Sequence, residues 1–330
     1  MTGFWRRLKR GRLERVNRII DAIASNRSFL ITSHVRLDGD AVGSELALYH
    51  LLRDLGKEAV VYNEDETPGN YRFLPGTEVI VRSLETVDHF DAAFVLDCSE
   101  ISRVGDAASR ILGIKTVINI DHHMSNSRSF GLSFADPGAS SVGELLYRLI
   151  EKMGVPVTRE IAVNLYTAIV TDTGSFRYSN TGEDTFRIAG KLVKAGADPY
   201  GIAEKIYENN PKEKIRLLEK VLGTLEFAWD GRISTLWVSR QMLKDAGALP
   251  EHTDNFVDLA RSIEGVEVAA FFTEMEKNIY KVSLRSKGRI NVAKVAGRFG
   301  GGGHFSAAAC KIEGGLDGVK SRIVQAVMAG

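Results

Sequence analysis

Cysteine is almost absent from this chain. Only Cys98 and Cys310 occur among 330 residues, which excludes a disulfide framework and suits a reducing compartment, so a cytoplasmic location is expected. No stretch approaches the roughly 18 uninterrupted apolar residues needed to span a bilayer, and no membrane association is expected. The opening segment, Met1 to Arg10, is basic but has no apolar h-region, so it does not read as a secretory signal. A charge excess is lacking too. The 43 Lys and Arg against 42 Asp and Glu leave +1, which removes any bulk electrostatic case for binding long nucleic acid. There is no internal repeat and no low-complexity tract.

What is present is an ordinary globular composition at a length that suggests about two domains, each able to bury a core. The basic residues between Arg6 and Arg18 fit the solvated side of a first helix, whose apolar side would be Leu8, Val16, Ile19, Ile20 and Ile23. Apolar runs at Ser28–Ser33, Lys57–Tyr62, Phe90–Leu96 and Lys115–Ile120 read as strands. They alternate with helical patterns at Ala41–Leu55, Ser141–Met153 and Thr158–Thr171. That alternation predicts an α/β fold with a mostly parallel sheet over residues 1–190. Residues 191–222 read as a helical connector. From 223 to 330, hairpin patterns around Trp229-Asp230-Gly231 and Glu276-Lys277, with interspersed helices, predict a smaller mixed α/β domain.

The chemistry collects at predicted strand ends. His34, Asp38 and Asp40 follow the first strand, Asp97 follows the Phe90–Leu96 run, and Asp121-His122-His123 follows the Lys115–Ile120 run. In open α/β sheets ligands bind at the carboxyl ends of the strands. Two adjacent histidines are hard to explain as packing, because a strand would send them to opposite faces. Asp172 adds a further carboxylate after a helix. So many acids and imidazoles at one sheet edge would repel or carry a large desolvation cost unless cations lay between them. Mixed oxygen and imidazole donors favour Mn²⁺ over Ca²⁺ or a thiolate-bound metal. The supply suffices for two ions with one bridging carboxylate, an arrangement that clamps a phosphoryl group during in-line displacement.

In order, His34-Val-Arg-Leu-Asp38-Gly-Asp40-Ala-Val-Gly43-Ser44, Asp97, Asp121-His122-His123 and Asp172-Thr-Gly174 resemble the four motifs of the DHH phosphoesterase family. Gly300-Gly301-Gly302-Gly303-His304 resembles the glycine-rich signature of the DHH-associated C-terminal domain. The two-domain layout is most similar to the nanoRNase type, the small oligoribonuclease and 3′-phosphoadenosine-5′-phosphate (pAp) phosphatases. The resemblance implies that His34, Asp38 and Asp97 hold one Mn²⁺. It implies that Asp40, Asp97, His122 and Asp172 hold the other, with Asp97 bridging. His123 would face the substrate phosphate, and Asp121 would orient a histidine. Gly39 and Gly43 are expected to let the backbone turn so that alternate acids aim inward.

Substrate recognition is expected from Arg285, Ser286, Gly301, Gly302, Gly303 and His304, with Asn126, Ser140, Ser141, Arg177 and Tyr178 as further candidates. Arg285 suits a bidentate grip on a terminal phosphate. Ser140-Ser141-x-x-Glu144 equally resembles a helix start with a capping glutamate. The expected activity is hydrolysis of short RNAs to mononucleotides and of pAp to AMP, by a chain that relatives suggest is a homodimer. The alternatives are a cyclic or linear dinucleotide phosphodiesterase in signalling, a family II pyrophosphatase, a RecJ-like exonuclease, and a catalytically silent nucleotide-binding module.

Overall fold

The computed structural model describes residues 10–123, 130–303 and 305–330; Asn126, His304 and the basic residues before Arg10 lie outside them. The chain divides into two compact units, Met1–Asn209 and Asn210–Gly330.

The first unit is built on six parallel strands: β1 (Ser28–Thr32), β2 (Glu58–Tyr62), β3 (Ile80–Val81), β4 (Ala92–Leu96), β5 (Thr116–Asp121) and β6 (Leu132–Ala135). They lie in the order β3-β2-β1-β4-β5-β6. The short strands β3 and β6 at the two edges were not among the predicted ones, because neither carries a β-branched run long enough to register as a period. The helices are α1 (Arg10–Ser25), α2 (Gly39–Asp54), α3 (Ala108–Leu112), α4 (Val142–Met153), α5 (Arg159–Asp172), α6 (Glu183–Lys194) and α7 (Pro199–Tyr207).

A parallel sheet is covered on both faces, so its central strands are apolar throughout. Period-two alternation then sorts each strand between two cores. Phe29, Ile31, Phe94, Leu96, Ile118 and Ile120 face one core, together with Val16, Ile19 and Ile23 from α1 and Leu48, Leu51 and Leu52 from α2. Leu30, Ala93, Val95 and Val117 face the other, with Ile111 from α3. The apolar side of α1 is buried, and Arg15 and Arg18 on its other side are exposed.

In the second unit, a mixed sheet runs β11-β12-β10-β9-β8-β7. Its strands are β7 (Glu226–Ala228), β8 (Ile233–Val238), β9 (Val268–Glu276), β10 (Ile279–Ser286), β11 (Gly302–Gly303) and β12 (Ala307–Glu313). Only β8 and β9 are parallel; the other neighbours are antiparallel. Helices α8 (Lys212–Leu222), α9 (Arg240–Ala246), α10 (Phe256–Ser262), α11 (Val292–Gly297) and α12 (Leu316–Met328) complete it. Two glycines of the Gly300–Gly303 run form an edge strand against Ala308 and Ala309. The approach is close enough that a Cβ on Gly301 would lie 2.2 Å from the Ala309 carbonyl oxygen.

Helix α2 carries one buried acid outside the sheet edge. Glu45 is fully buried and its Oε2 accepts a 2.8 Å hydrogen bond from Asn63 Nδ2. Burial pushes its carboxyl from 4.5 up to about 7, against the hydrogen bond from Asn63. The folded chain therefore keeps a proton there that the unfolded chain releases. The stability this proton confers is complete below pH 4.5 and is lost as pH rises through 7. Relative to the parent, Glu45→Gln is expected to gain stability as pH rises from about 4.5 to about 7 and to hold that gain at higher pH, by about 3 kcal/mol at most. Melting curves in chelator at acidic and alkaline pH would check this, and a stability difference independent of pH would contradict it.

Candidate metal centre

The strand order determines where the acids meet. From β1 the chain proceeds outward to β2 and β3, then returns to the other side of β1 as β4 and β5. The crevice beyond the carboxyl ends of β1 and β4 is thus the topological switch point of the sheet. His34 and Asp38 leave the end of β1, Asp97 the end of β4, and His122 and His123 the end of β5.

Helix packing brings in the remaining carboxylates. Asp38 caps α2, accepting from the Ala41 amide at 3.0 Å, and Asp40 sits in its first turn. Asp172 is the last residue of α5. Gly39 and Gly43 let these helices touch: a Cβ on Gly39 would lie 2.4 Å from Thr171 Oγ1, and one on Gly43 would lie 2.5 Å from the Asn164 carbonyl oxygen. Neither glycine has a positive φ, so the expected tight turn is replaced by close helix–helix contact. Asp97 does adopt left-handed backbone, with φ of 52°. Its turn is supported by Asn119, whose Nδ2 donates to the Cys98 carbonyl at 2.9 Å and to the Val95 carbonyl at 3.2 Å.

Three overlapping groups result, each close enough to hold a metal ion: His34, Asp38 and Asp97; Asp40, His122 and Asp172; and Asp97, His122 and His123. His34 Nε2 lies 3.3 Å from Asp97 Oδ2 and 3.8 Å from Asp38 Oδ2. His122 Nε2 lies 3.5 Å from Asp172 Oδ2, 3.6 Å from Asp97 Oδ1 and 3.8 Å from Asp40 Oδ2. Both rings are oriented by backbone carbonyls, since Nδ1 donates to Val35 at 2.9 Å in His34 and to Ala139 at 3.4 Å in His122. Each therefore presents Nε2 to the carboxylates, as a metal-ligating imidazole does. His123 is arranged the other way, with Nδ1 held 2.6 Å from Asp121 Oδ1. The two adjacent histidines converge because β5 has already ended at Asp121, so strand alternation no longer governs them.

The electrostatics fit a cation. Asp97 Oδ1 is buried and, among the described residues, accepts no hydrogen bond of sound geometry. Despite burial, the His123 and His34 imidazoles hold the Asp97 carboxyl well below the usual range. Burial, then Asp97, Asp172 and Asp38, push Asp40 well above it. Burial also raises Asp172 to about 7, with Asp97 and Asp38 adding to it against His122. Although burial opposes charge on the rings, Asp97 and Asp38 lift His34 to about 9, and Asp121 and Asp97 lift His123 to about 10. Left to themselves, then, Asp40 and Asp172 are driven toward holding protons, and the His34 and His123 imidazoles are cationic. Divalent cations are the natural replacement for those protons.

Of the candidate substrate residues, Arg285 is the penultimate residue of β10, with Nη1 donating to the Leu284 carbonyl at 3.1 Å and Nε 4.0 Å from Asp258 Oδ2. Ser286 is buried beside it. Arg285 pairs with Ala307 and Gly303 with Ala308, so both lie toward the same end of β12. Ser141 caps α4, accepting from the Glu144 amide at 3.0 Å, while Ser140 donates to Glu144 Oε2 through its amide and hydroxyl. Arg177 and Tyr178 are exposed beyond the end of α5. Cys98 and Cys310 are both buried, and burial pushes their thiols up to about 12 and about 11. The sequence reading missed Asn119 and Asn180, as well as the amides of Val142 and Gly143, which donate to Asp40 at 2.7 and 3.0 Å. A polar residue inside an apolar strand run was the available signal for Asn119; backbone donors leave none.

The fold and this edge of histidines and aspartates define a phosphoesterase class, and the chain belongs to the DHH family. The family model for the DHH N-terminal domain matches residues 28–169, and the DHHA1 domain model matches residues 235–329. A bifunctional oligoribonuclease and PAP phosphatase NrnA of Thermus thermophilus is 37% identical over 301 residues, 90% of this chain and 88% of that protein. Its Bacillus subtilis counterpart is 26% identical over 299 residues, 89% of this chain and 92% of that protein. Among solved structures, an exopolyphosphatase-related protein from Bacteroides fragilis matches with a TM-score of 0.89 at 27% identity, over 96% of both chains.

Two outcomes are expected. Asp97→Ala, which removes the carboxylate common to two of these groups, should weaken cation binding and abolish turnover; a free-Mn²⁺ titration showing near-parental uptake would contradict its place in the centre. Because His34 is protonated at neutral pH and must be neutral to ligate, cation binding at pH 7 should release protons. Affinity should then fall as pH drops below about 9. Calorimetry in buffers of different ionisation enthalpy measures that release, and a pH-independent affinity would exclude it.

Proposed function

We propose that this chain is a Mn²⁺-dependent phosphoesterase that hydrolyses short oligoribonucleotides to mononucleotides and pAp to AMP and phosphate. The observation that carries the reading is the cluster of His34, Asp38, Asp40, Asp97, His122 and Asp172 at the switch point of the sheet. Relatives whose names state these two activities, covered over most of their length, support it. In the proposal His34, Asp38 and Asp97 hold one ion, and Asp40, Asp97, His122 and Asp172 hold the second. Mixed carboxylate and imidazole donors without thiolate suit Mn²⁺. Divalent ions at such a site supply Lewis acidity and water activation.

The chain's own groups contribute the rest. Asp97 is held ionised within the buried cluster, which fits it to bridge. His123 donates a hydrogen bond from Nδ1–H to Asp121, so Nε2 is the atom at which this ring exchanges a proton. A cationic His123 would stabilise negative charge on a phosphoryl oxygen or protonate the leaving alkoxide. Asp121 fixes the ring's tautomer and orientation. Arg285 is proposed to grip a terminal phosphate, with Ser286, Gly301, Gly302, Gly303 and His304 shaping the same subsite. A preference for short ends over long polymers agrees with a net charge of +1, which supplies no bulk electrostatic attraction to a polymer backbone. No described helix is long and apolar enough to cross a membrane. A cytoplasmic homodimer completes the proposal, supported by the two free, buried thiols for the compartment and by the family resemblance for the assembly.

Product release from 5′-pApA and pAp, with Mn²⁺ and with chelator, tests the function. Cyclic di-AMP, pyrophosphate and polyphosphate serve as comparisons. Mn²⁺-dependent AMP release from the first two is expected, and cleavage of the cyclic dinucleotide alone would transfer the chain to signalling. Arg285→Ala should raise KM for phosphorylated ends about tenfold or more, with a smaller effect on kcat, on the strength of a lost charge-assisted pair. An unchanged KM would remove Arg285 from the substrate subsite.

A further inference from the structure

Asn180 lies eight residues beyond Asp172 and outside every motif that points to the metal centre. Its Nδ2 is 2.9 Å from the Ser140 carbonyl oxygen, 3.1 Å from the Asp172 carbonyl oxygen and 3.4 Å from Asp172 Oδ2. All three neighbours are acceptors. Only the amide NH₂ can face them, because the reversed amide would set its oxygen against two carbonyls and a carboxylate.

Through these bonds one side chain reaches two carboxylates of the same group. It touches Asp172 directly. It touches Asp40 through a short backbone relay, since Ser140 begins the segment whose Val142 and Gly143 amides donate to Asp40 at 2.7 and 3.0 Å. That segment is held from its other side by Glu144. Its Oε2 accepts from the Ser140 hydroxyl at 2.6 Å and from Thr185 Oγ1 at 3.1 Å, while its Oε1 pairs with buried Arg148. None of these bonds involves His34 or Asp38.

Asp172 has a particular need of such a donor. It carries a carboxylate at the C-terminal end of α5, where the helix dipole disfavours negative charge. Immediately beyond it Gly174, Ser175 and Phe176 adopt three successive left-handed conformations, with φ of 54°, 61° and 63°, so the chain turns away at once. Asn180 returns to donate both to the helix's terminal carbonyl and to the side chain.

We propose that Asn180 is a positioning residue for one cation only. It sets the spacing of Asp40 and Asp172 around His122, and the group formed by His34, Asp38 and Asp97 does not depend on it. The inference rests on the two-ion reading above and goes beyond it by making the two sites separable. The test is Mn²⁺ binding by the full-length protein, followed by electron paramagnetic resonance of free ion and by calorimetry, in the parent, Asn180→Leu and Asn180→Ser. Leucine matches the size of asparagine and donates nothing. Serine donates from too short a side chain to serve Ser140 and Asp172 together, and it can be read alone if the leucine variant does not fold.

The expected result is a loss of affinity of about 10–100-fold for one ion, with the other within about threefold of the parent. Metal-free melting in chelator should stay close to the parent's. Two unchanged ions in the variants would overturn the inference while leaving the two-ion reading intact. Equal weakening of both ions would overturn it as well, by showing a general structural role. A parent that binds no ion would overturn the two-ion reading, and the inference with it.

Discussion

Five aspartates and three histidines crowd one edge of a sheet whose two faces are sealed by apolar cores, and their charges must be compensated there. That requirement governs the first unit. Asp97 is the centre of the balance: it is buried, ionised and adjacent to three imidazoles, and one of its oxygens lacks a sound hydrogen bond. Its neighbours Asp40 and Asp172 are driven the other way, toward protonation. The protein alone leaves this balance incomplete, which is why divalent cations at this edge form the core of the functional proposal.

The fold makes the crowding possible by ordinary means. Apolar strands with side chains sorted onto two cores leave their polar residues at the strand ends, where backbone geometry and not packing decides direction. The switch between β1 and β4 opens the crevice, and glycines at positions 39 and 43 bring α2 against α5 so that their terminal acids meet. The supporting shell is made largely of backbone amides and carbonyls. Val35, Ala139, Val142 and Gly143 aim two imidazoles and one carboxylate without spending a side chain.

That division explains what was legible in the sequence. The parallel sheet, the strand ends and the acids and histidines that follow them could be read from β-branched runs broken by polar residues. The convergence of His122 and His123 could not, because it depends on where β5 stops. The helical role of Gly39 and Gly43 was read as turning freedom; only the position of Thr171 and Asn164 shows that contact is what excludes a side chain. Edge strands β3, β6 and β11 were invisible for lack of period, the last being two glycines. Asn180 carries no signal of its own in the sequence, since its meaning comes from the Ser140 carbonyl forty residues before it and from the end of α5 eight residues before it. Asn119, by contrast, was exposed by the apolar run around it and was overlooked.

The most direct test of the account is anomalous diffraction at the manganese absorption edge from crystals of the full-length protein grown with Mn²⁺. Two peaks are expected, one among His34, Asp38 and Asp97 and the other among Asp40, His122 and Asp172, with Asp97 between them. A single peak, or density anywhere but at this sheet edge, would contradict the proposal that the cluster is a two-ion phosphoesterase centre.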